Sequence, residues 1–474
     1  MQAFRSRGVA RRAAAMSRRS FLGATAVAGI TPAFLVRRLH AAQPGAYAAV
    51  TSFEEAMAKV KPHLQCGDEA TQRFAVNAYW QCLLNKITPA EPPLRQPHIP
   101  AGGYYGHFQG LWDNMFIVDG ISVLPEYRQL AYGILQNVFD FQAWWDANTP
   151  EYRHGMMTNQ TRPDPAGWVK SLHFSELPLV GWGVDRVYRR TGNMEVVKTF
   201  LKPLEKFHEW YWRERDVADT GLIGVGSYTG DVQDARYETF DFECNLDDLK
   251  MTVHPRRKGP NEGRWYGDIS IPGTTAYLLL GERCLARLAE LAGDHAMAQR
   301  RRKRLDRGVA AMHEHMWDEQ AGTFVAVQRD SLKKIRIATI GSWVPLLAEV
   351  PTREMAARMA ERLATSDWMT PLPVPTVARS DPRWESGGAH FWRGDVWAPT
   401  NYQIADGLTR YGYKELAARI VDASVANAMK VGISERYDSV SGKAMGVVGL
   451  PMSFTLLTML LDGLSQRYVV KTVA

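Results

Sequence analysis

Three short segments limit what this 474-residue chain can become: Thr191-Gly192-Asn193, Ala292-Gly293-Asp294 and Tyr411-Gly412-Tyr413. In each, a stretch with apolar residues every three to four positions stops at glycine, and a second such stretch begins at once. Glycine accepts the left-handed conformation that closes a helix, and Asn or Asp then caps the next one. Such tight connections make antiparallel helical hairpins. Leu278, Leu285, Leu288 and Ala292 mark one apolar helix face, and Leu416, Ile420 and Ala423 mark another. The hairpin glycines are 101 and then 119 residues apart, so no fixed-period solenoid is present. Strand-like alternation is confined to short pieces, including polar turns at Trp317–Phe324 and Tyr437–Gly442. The expectation is an all-α fold, a toroid of helical hairpins with long loops over one end.

The loops carry the chemistry. Segments Thr158–Trp168, Tyr228–Trp265 and Ser366–Trp392 are long, aperiodic and rich in Gly, Pro and aromatic residues. Long irregular segments inside a compact domain are usually functional or disordered, and the Trp, Tyr, Arg and Asp residues here favour function.

Charge excludes one large class of partners. The formal net charge is +7, but residues 1–48 hold eight arginines, no lysine and no acid, leaving −1 for the remainder. The basic balance belongs to the leader, so a nucleic-acid partner is not expected. In that leader, Ser17-Arg18-Arg19-Ser20-Phe21-Leu22-Gly23 precedes a modest apolar stretch, Phe21 to Val36. A paired arginine before such a stretch reads as a twin-arginine export signal, and the export machinery is its expected partner. The stretch is too short and too rich in small residues for a span of about 20 apolar residues. Ala46-Tyr47-Ala48 offers a small-x-small cleavage site, with Ala41-Ala42 as the alternative. The expected division is therefore a leader at 1–48 and one catalytic domain at 49–474, without a membrane span in the mature form and located in the periplasm or outside the cell. Cys66, Cys82, Cys244 and Cys284 show no zinc or redox spacing. His313-Glu314-His315 reads as a helix end rather than a metal site, and no cofactor motif is present. His254-Pro255-Arg256-Arg257-Lys258 reads as a short solvated basic loop.

The densest signal lies near the C-terminus. Phe391-Trp392-Arg393-Gly394-Asp395-Val396-Trp397-Ala398-Pro399-Thr400-Asn401-Tyr402 leads into a helix, and Glu435-Arg436-Tyr437-Asp438 follows. Trp392 and Trp397 around Arg393 combine a stacking surface with a fork of donors, which suits the apolar face and hydroxyl edge of a pyranose. Equally, the two indoles could simply anchor the helix start in the core.

The run from Trp392 to Tyr402 resembles the W-R-G-P-V-W-x-P-x-N-Y signature of glycoside hydrolase families 37 and 63, with Asp395 at the proline. These are the trehalases and oligosaccharide α-glucosidases, together with mannosylglycerate hydrolases. Glu435-x-Tyr437 with Ser441-Gly442, Ser175-x-Leu177-Pro178-Leu179 and Trp112-Asp113 resemble further motifs of those families, in their order along the chain. The resemblance implies an (α/α)6 barrel and inverting hydrolysis of α-linked glucosides or related oligosaccharides. Inversion uses one protonated carboxyl and one carboxylate roughly 6.5–9.5 Å apart, with the water between carboxylate and sugar. The resemblance makes Glu435 the general base. Trp112, Asp113, Asn159, Gln160, Arg236, Trp392, Arg393, Trp397 and Tyr437 become candidate substrate contacts, with Arg153 and His154 on the same loop as Asn159. The acid's motif departs from the family pattern: with Gly230 and Arg236 aligned, Val232 takes the acid's place. Asp234 is the first candidate and Asp231 the second, with Glu238 or no acid as the remaining readings. A barrel without an acid would be a sugar-binding protein, and a lyase or phosphorylase on a similar toroid is the other alternative.

Overall fold

The structure is a computed structural model and describes residues 47–92, 94–161, 174–229, 238–239, 249–255 and 264–473. Thirteen helices carry the described chain: α1 Phe53–Val60, α2 Glu69–Ala78, α3 Leu111–Ile121, α4 Arg128–Asn148, α5 Val180–Thr191, α6 Met194–Arg215, α7 Pro272–Leu291, α8 His295–Ala311, α9 Val344–Leu347, α10 Arg353–Leu363, α11 Ala398–Arg410, α12 Lys414–Val431 and α13 Thr455–Leu461. Helix α5 ends at Gly192 with φ +66°, and the Asn193 side chain accepts the Glu195 N–H at 3.0 Å to start α6. At the α7–α8 turn Asp294 accepts the Met297 N–H in the same way. All three hairpins expected from the glycines are present.

Helices α3, α5, α7, α9, α11 and α13 touch in succession, and α13 with the Pro451–Phe454 turn returns to α3. Helices α4, α6, α8 and α12 each pack on the inner helix before them, and α2 packs on α13. The division follows from the residues. Inner helix α3 is buried along its whole length except at Asp113, whereas outer α8 exposes Arg300, Arg302 and Lys303. Apart from Asp113, Asn114 and Asp119, α3 is apolar on every side, and a helix of that kind is interior. The turns from inner to outer helices are short, and the segments returning from outer helices to the N-terminal ends of inner ones are long.

Those returning segments are where the all-α expectation needs correction. The protein is mostly helical, but the described residues include a five-stranded antiparallel sheet. Its strand path is β10 (Lys334–Ile335), β9 (Ala326–Gln328), β6 (Trp265–Ser270) and β4 (Gly224–Ser227), with β5 (Met251–Val253) also on β6. Its strands are two to six residues long, too short for alternation to stand out against a helical background. They hold a small apolar cluster of their own, formed by Val225, Leu249, Ile269, Ile271 and Ala326. Four two-stranded pairs complete the strands: β1 (Leu64–Cys66) with β13 (Val470–Thr472), β2 (Gln109–Gly110) with β3 (Gln160–Thr161), β7 (Trp317–Asp318) with β8 (Thr323–Phe324), and β11 (Ser434–Tyr437) with β12 (Ala444–Val448). The β7–β8 and β11–β12 hairpins fall at the two polar turns expected from sequence. Among the described residues no helix is long and apolar enough to cross a membrane.

A largely buried ionic lock closes the circuit. Asp119 on α3 accepts Arg186 Nε at 3.0 Å and Nη2 at 2.9 Å, and Arg190 Nε at 2.9 Å. The same two arginines of α5 reach Asp462, just past α13, at 2.7 Å each. Tyr402 of α11 donates to Asp462 at 2.9 Å. Burial alone would push the Asp119 carboxyl up, but the two guanidinium groups outweigh it and hold it at about 2. A depressed pKa of this kind adds stability above the unfolded value, near pH 4, and loses it as pH falls through 2. Removing one partner of such a cluster leaves an uncompensated charge. Arg186→Met is therefore expected to lower the unfolding free energy by about 3–5 kcal/mol in urea titrations. The further loss of stability between pH 4 and pH 2 should also be smaller than in the parent protein, because with one guanidinium fewer the Asp119 carboxyl lies closer to its unfolded value.

Candidate active site

Strand β11 is buried at all four positions and is held on two sides. On one side Val396 and Tyr437 exchange backbone hydrogen bonds of 2.8 and 2.9 Å, which joins the Trp392–Trp397 motif to the Glu435 motif. On the other side β12 pairs with a register shift between Ser434 and Arg436. The extra residue lies on β12, where Gly446 has φ +75°. Bulges re-aim backbone groups beside functional sites, and here the Val447 N–H turns to donate to Glu435 Oε2 at 2.9 Å. Tyr105 donates to Glu435 Oε1 at 2.5 Å. A Cβ at position 446 would overlap Glu435 Oε2, so only glycine leaves the carboxylate room. Glu435 is fully buried, and the Arg436 Nη1 lies 4.0 Å from its Oε1.

Asp113, in the first turn of α3, lies close enough to this carboxylate to feel its charge. Burial, and then the charge of Glu435, push its carboxyl up to about 7. Behind it, Glu176 accepts the Trp112 N–H at 2.8 Å and further bonds from the Leu111 N–H and the Asn159 side chain, and so caps α3. Burial and the neighbouring Asp113 nevertheless raise Glu176 well above the usual carboxylate range. Like charges that share a desolvated site cannot all ionise together. Glu435, Asp113 and Glu176 thus form a coupled row of carboxyls at the N-terminal end of an inner helix.

The aromatic motif is arranged differently from a pair of platforms flanking an arginine. Trp392 and Trp397 stack on each other with centroids 4.3 Å apart and planes at 4°. Trp397 is buried and donates to the Phe391 carbonyl, whereas Trp392 stays partly exposed. Trp397 therefore belongs to the core and backs the half-buried Trp392. Tyr437 is also a core residue, because its hydroxyl accepts the Ser434 N–H at 2.9 Å and donates to the Gly432 carbonyl at 3.0 Å. Trp112 is buried edge-on against Phe116. Arg393 is half-buried beside Trp392. Asn159 is buried and Gln160 half-buried, the latter paired with Gly110 in the β2–β3 ladder. The Arg153 guanidinium stacks 4.2 Å over Tyr228, and His154 bonds the Thr149 carbonyl.

Asp231, Asp234 and Arg236 lie outside the described residues. Glu238 is described and has a different role. Its oxygens accept Arg215 Nε at 2.5 Å and Nη2 at 2.7 Å, and the Ser175 and Gly226 N–H groups at 3.0 Å. Four donors on a fully buried carboxylate leave it nothing to offer a substrate, so Glu238 pins α6, β4 and the segment before α5 together. His254, expected on a solvated loop, is buried 3.9 Å from Glu214, which Arg264 also binds. Among the described residues no group of three His, Cys, Asp or Glu could hold a metal.

Residues 105–455 match the mannosylglycerate hydrolase MGH1-like glycoside hydrolase domain, a span that starts at Tyr105 and includes Glu435. The chain belongs to that family. It is a glycosidase of the superfamily formed by glycoside hydrolase families 37 and 63. It is 31% identical to a mannosylglycerate hydrolase of Rubrobacter radiotolerans over 73% of this chain and 89% of that one. The family 63 mannosylglycerate hydrolase of Thermus thermophilus, solved with glucose, shares its fold with a TM-score of 0.64. That likeness is at 20% identity and covers 81% of this chain and 98% of that one. The neutral trehalase Nth1 of Saccharomyces cerevisiae shares it at 0.55 and 14% identity, over 83% and 80%.

In this glycosidase, sequence reasoning missed Tyr105 and Glu176. Tyr105 stands in the turn-forming run Gly102-Gly103-Tyr104-Tyr105-Gly106, and Glu176 fills the open position of Ser175-x-Leu177. A carboxyl that close to an inner helix start was the available signal. The raised Asp113 carboxyl also has a measurable consequence. Its folded-state pKa near 7 exceeds the unfolded value of about 3.9, so its contribution to stability is present below pH 4 and is lost as pH rises through 7. The melting temperature of Asp113→Asn, relative to the parent protein, should therefore rise steadily between pH 4 and pH 8 in scanning calorimetry.

Proposed function

We propose that the protein is an inverting hydrolase of small α-linked glycosides, of the mannosylglycerate kind, with Glu435 as the general base. One observation carries this reading: a fully buried carboxylate opposite a β-bulge, oriented by Tyr105 and the Val447 N–H and close enough to Asp113 to raise its carboxyl. A base must be held in one orientation to activate a water for in-line attack. Trp392, half-buried and stacked on Trp397, supports a role in packing against the apolar side of a sugar. Asp113 and Arg393 fit contacts to hydroxyl groups, with Asn159 and Gln160 beside them. We assign the acid to Asp234, or else to Asp231, in the segment whose following residue Glu238 is anchored to Arg215. The circuit of six inner helices supports an (α/α)6 barrel as the architecture of residues 49–474, with the long loops gathered over the site. The names of the relatives favour mannosylglycerate over the glucosides that the motifs alone suggest.

The test is a panel of mannosylglycerate, glucosylglycerate, trehalose and α-linked disaccharides, with the product anomer followed by NMR. Hydrolysis of an α-linked member should release the glycosyl sugar first as its β anomer, and its release as the α anomer would refute inversion; trehalose should give α- and β-glucose in equal initial amounts. Glu435→Gln should lower kcat by about 10²–10⁴ while substrate binding persists.

We further propose that residues 1–48 direct twin-arginine export. Arg18-Arg19→Lys-Lys in the full chain should leave the protein in the cytoplasm of its host on cell fractionation, whereas the parent chain is recovered outside it.

A further inference from the structure

The family signature has proline between Gly394 and Val396, and this chain has Asp395 there. A carboxylate at that point is unexpected because the position is fully buried. Asp395 Oδ1 accepts the Gly387 N–H at 2.7 Å, and Oδ2 accepts Arg436 Nε at 2.7 Å. Arg436 is adjacent to Glu435 on β11. Its guanidinium lies 4.3 Å from the centre of the Phe391 ring, and its Nη1 lies 4.0 Å from Glu435 Oε1, beyond hydrogen-bonding distance. One guanidinium thus stands between two carboxylates, bonded to Asp395 and held short of Glu435.

Asp395 has a second attachment. The segment from Trp384 to Trp392 crosses the end of β11, where Ser386 Oγ accepts the Ser439 N–H at 2.7 Å. Gly387 approaches Asp438 so closely that a Cβ would overlap its Oδ2. The Gly387–Asp395 bond fixes this segment from the other side, and Phe391 and Trp392 are its last residues. The charged groups around Asp395 are Arg436 and Asp438 on β11 and just beyond it, with Glu435 behind Arg436. Glu385 and His390 pair with each other on the exposed side of the segment at 2.6 Å. Burial and then the charge of Asp438 push the Asp395 carboxyl up to about 6, against the opposing pull of Gly387 and Arg436. At neutral pH it is therefore still mostly an anion.

We propose that Asp395 is a positioning residue: by bonding Arg436 Nε and the Gly387 N–H it tethers the Trp384–Trp392 segment and keeps the Arg436 guanidinium from hydrogen-bonding Glu435. The proposal rests on Glu435 being the base. An arginine hydrogen-bonded to a carboxylate favours the charged form and lowers its pKa by one unit or more. A base weakened in this way accepts a proton less readily in the transition state. Proline cannot supply the counter-charge, so the control is built into this chain by its own residue.

Asp395→Asn keeps the acceptor for Gly387 and removes the charge that holds Arg436. In the panel assay, with the substrate hydrolysed fastest, kcat is expected to fall about tenfold. The acid limb of the kcat/KM pH profile should move down by about one unit, with KM changed far less. The double variant Asp395→Asn with Arg436→Gln has no guanidinium to release, and its acid limb should return to the parent position. An Asp395→Asn profile that overlays the parent would overturn the proposal. So would a double variant whose limb stays displaced, or whose kcat stays below a tenth of the parent value. The double variant decides alone if Asp395→Asn does not fold. Failure of the base assignment is separately visible, because Glu435→Gln would then retain turnover.

Discussion

Two carboxylates and two guanidinium groups, largely buried where the last inner helix meets the first, close the circuit of inner helices among the described residues. Asp119 on α3 and Asp462 after α13 share Arg186 and Arg190 of α5. The cluster sets the site at a distance. Helix α3 carries Asp119 near its C-terminal end and Asp113 in its first turn. The segment before α13 carries Val447, which orients Glu435. Fixing α3 against α13 therefore brings a carboxyl at position 113 close to one at position 435. Because the cost of removing four charges from water is repaid only when all four partners are present, the lock works as a unit.

Much of this was legible in the sequence, for identifiable reasons. Glycine followed by a capping residue is a local signal, so the turns at Gly192 and Gly293 could be placed from the residues alone. Glu435, Trp392 and Arg393 stood out because they sit in dense, ordered motifs. The five-stranded sheet was not visible, because strands such as Lys334–Ile335 are shorter than one full alternation and acquire their identity from partners far along the chain. Tyr437 and Trp397 show a second limit. A motif records which residues are needed but not which way they face, and these two serve the packing beneath the site. Glu176 shows a third. Its significance comes from capping α3 across 64 residues of sequence, a relation no local window contains.

The electrostatics of the site follow from burial more than from any single contact. Asp113 and Glu176 are both pushed upward by desolvation, and each is raised further by the next carboxyl in the row. Backbone N–H groups and the positive end of the α3 dipole soften this repulsion at the helix start. Asp113 and Glu176 thus hold protons near neutral pH that they would have lost in water. A polyhydroxylated ligand meets donors as well as acceptors there.

The pairing of β1 with β13 has a consequence for how the molecule is made. Leu64–Cys66 must wait for Val470–Thr472, and α3 must wait for α13. Neither contact can form until both of its segments have left the ribosome. A chain cut short before Asp462 could therefore form neither this pairing nor the lock.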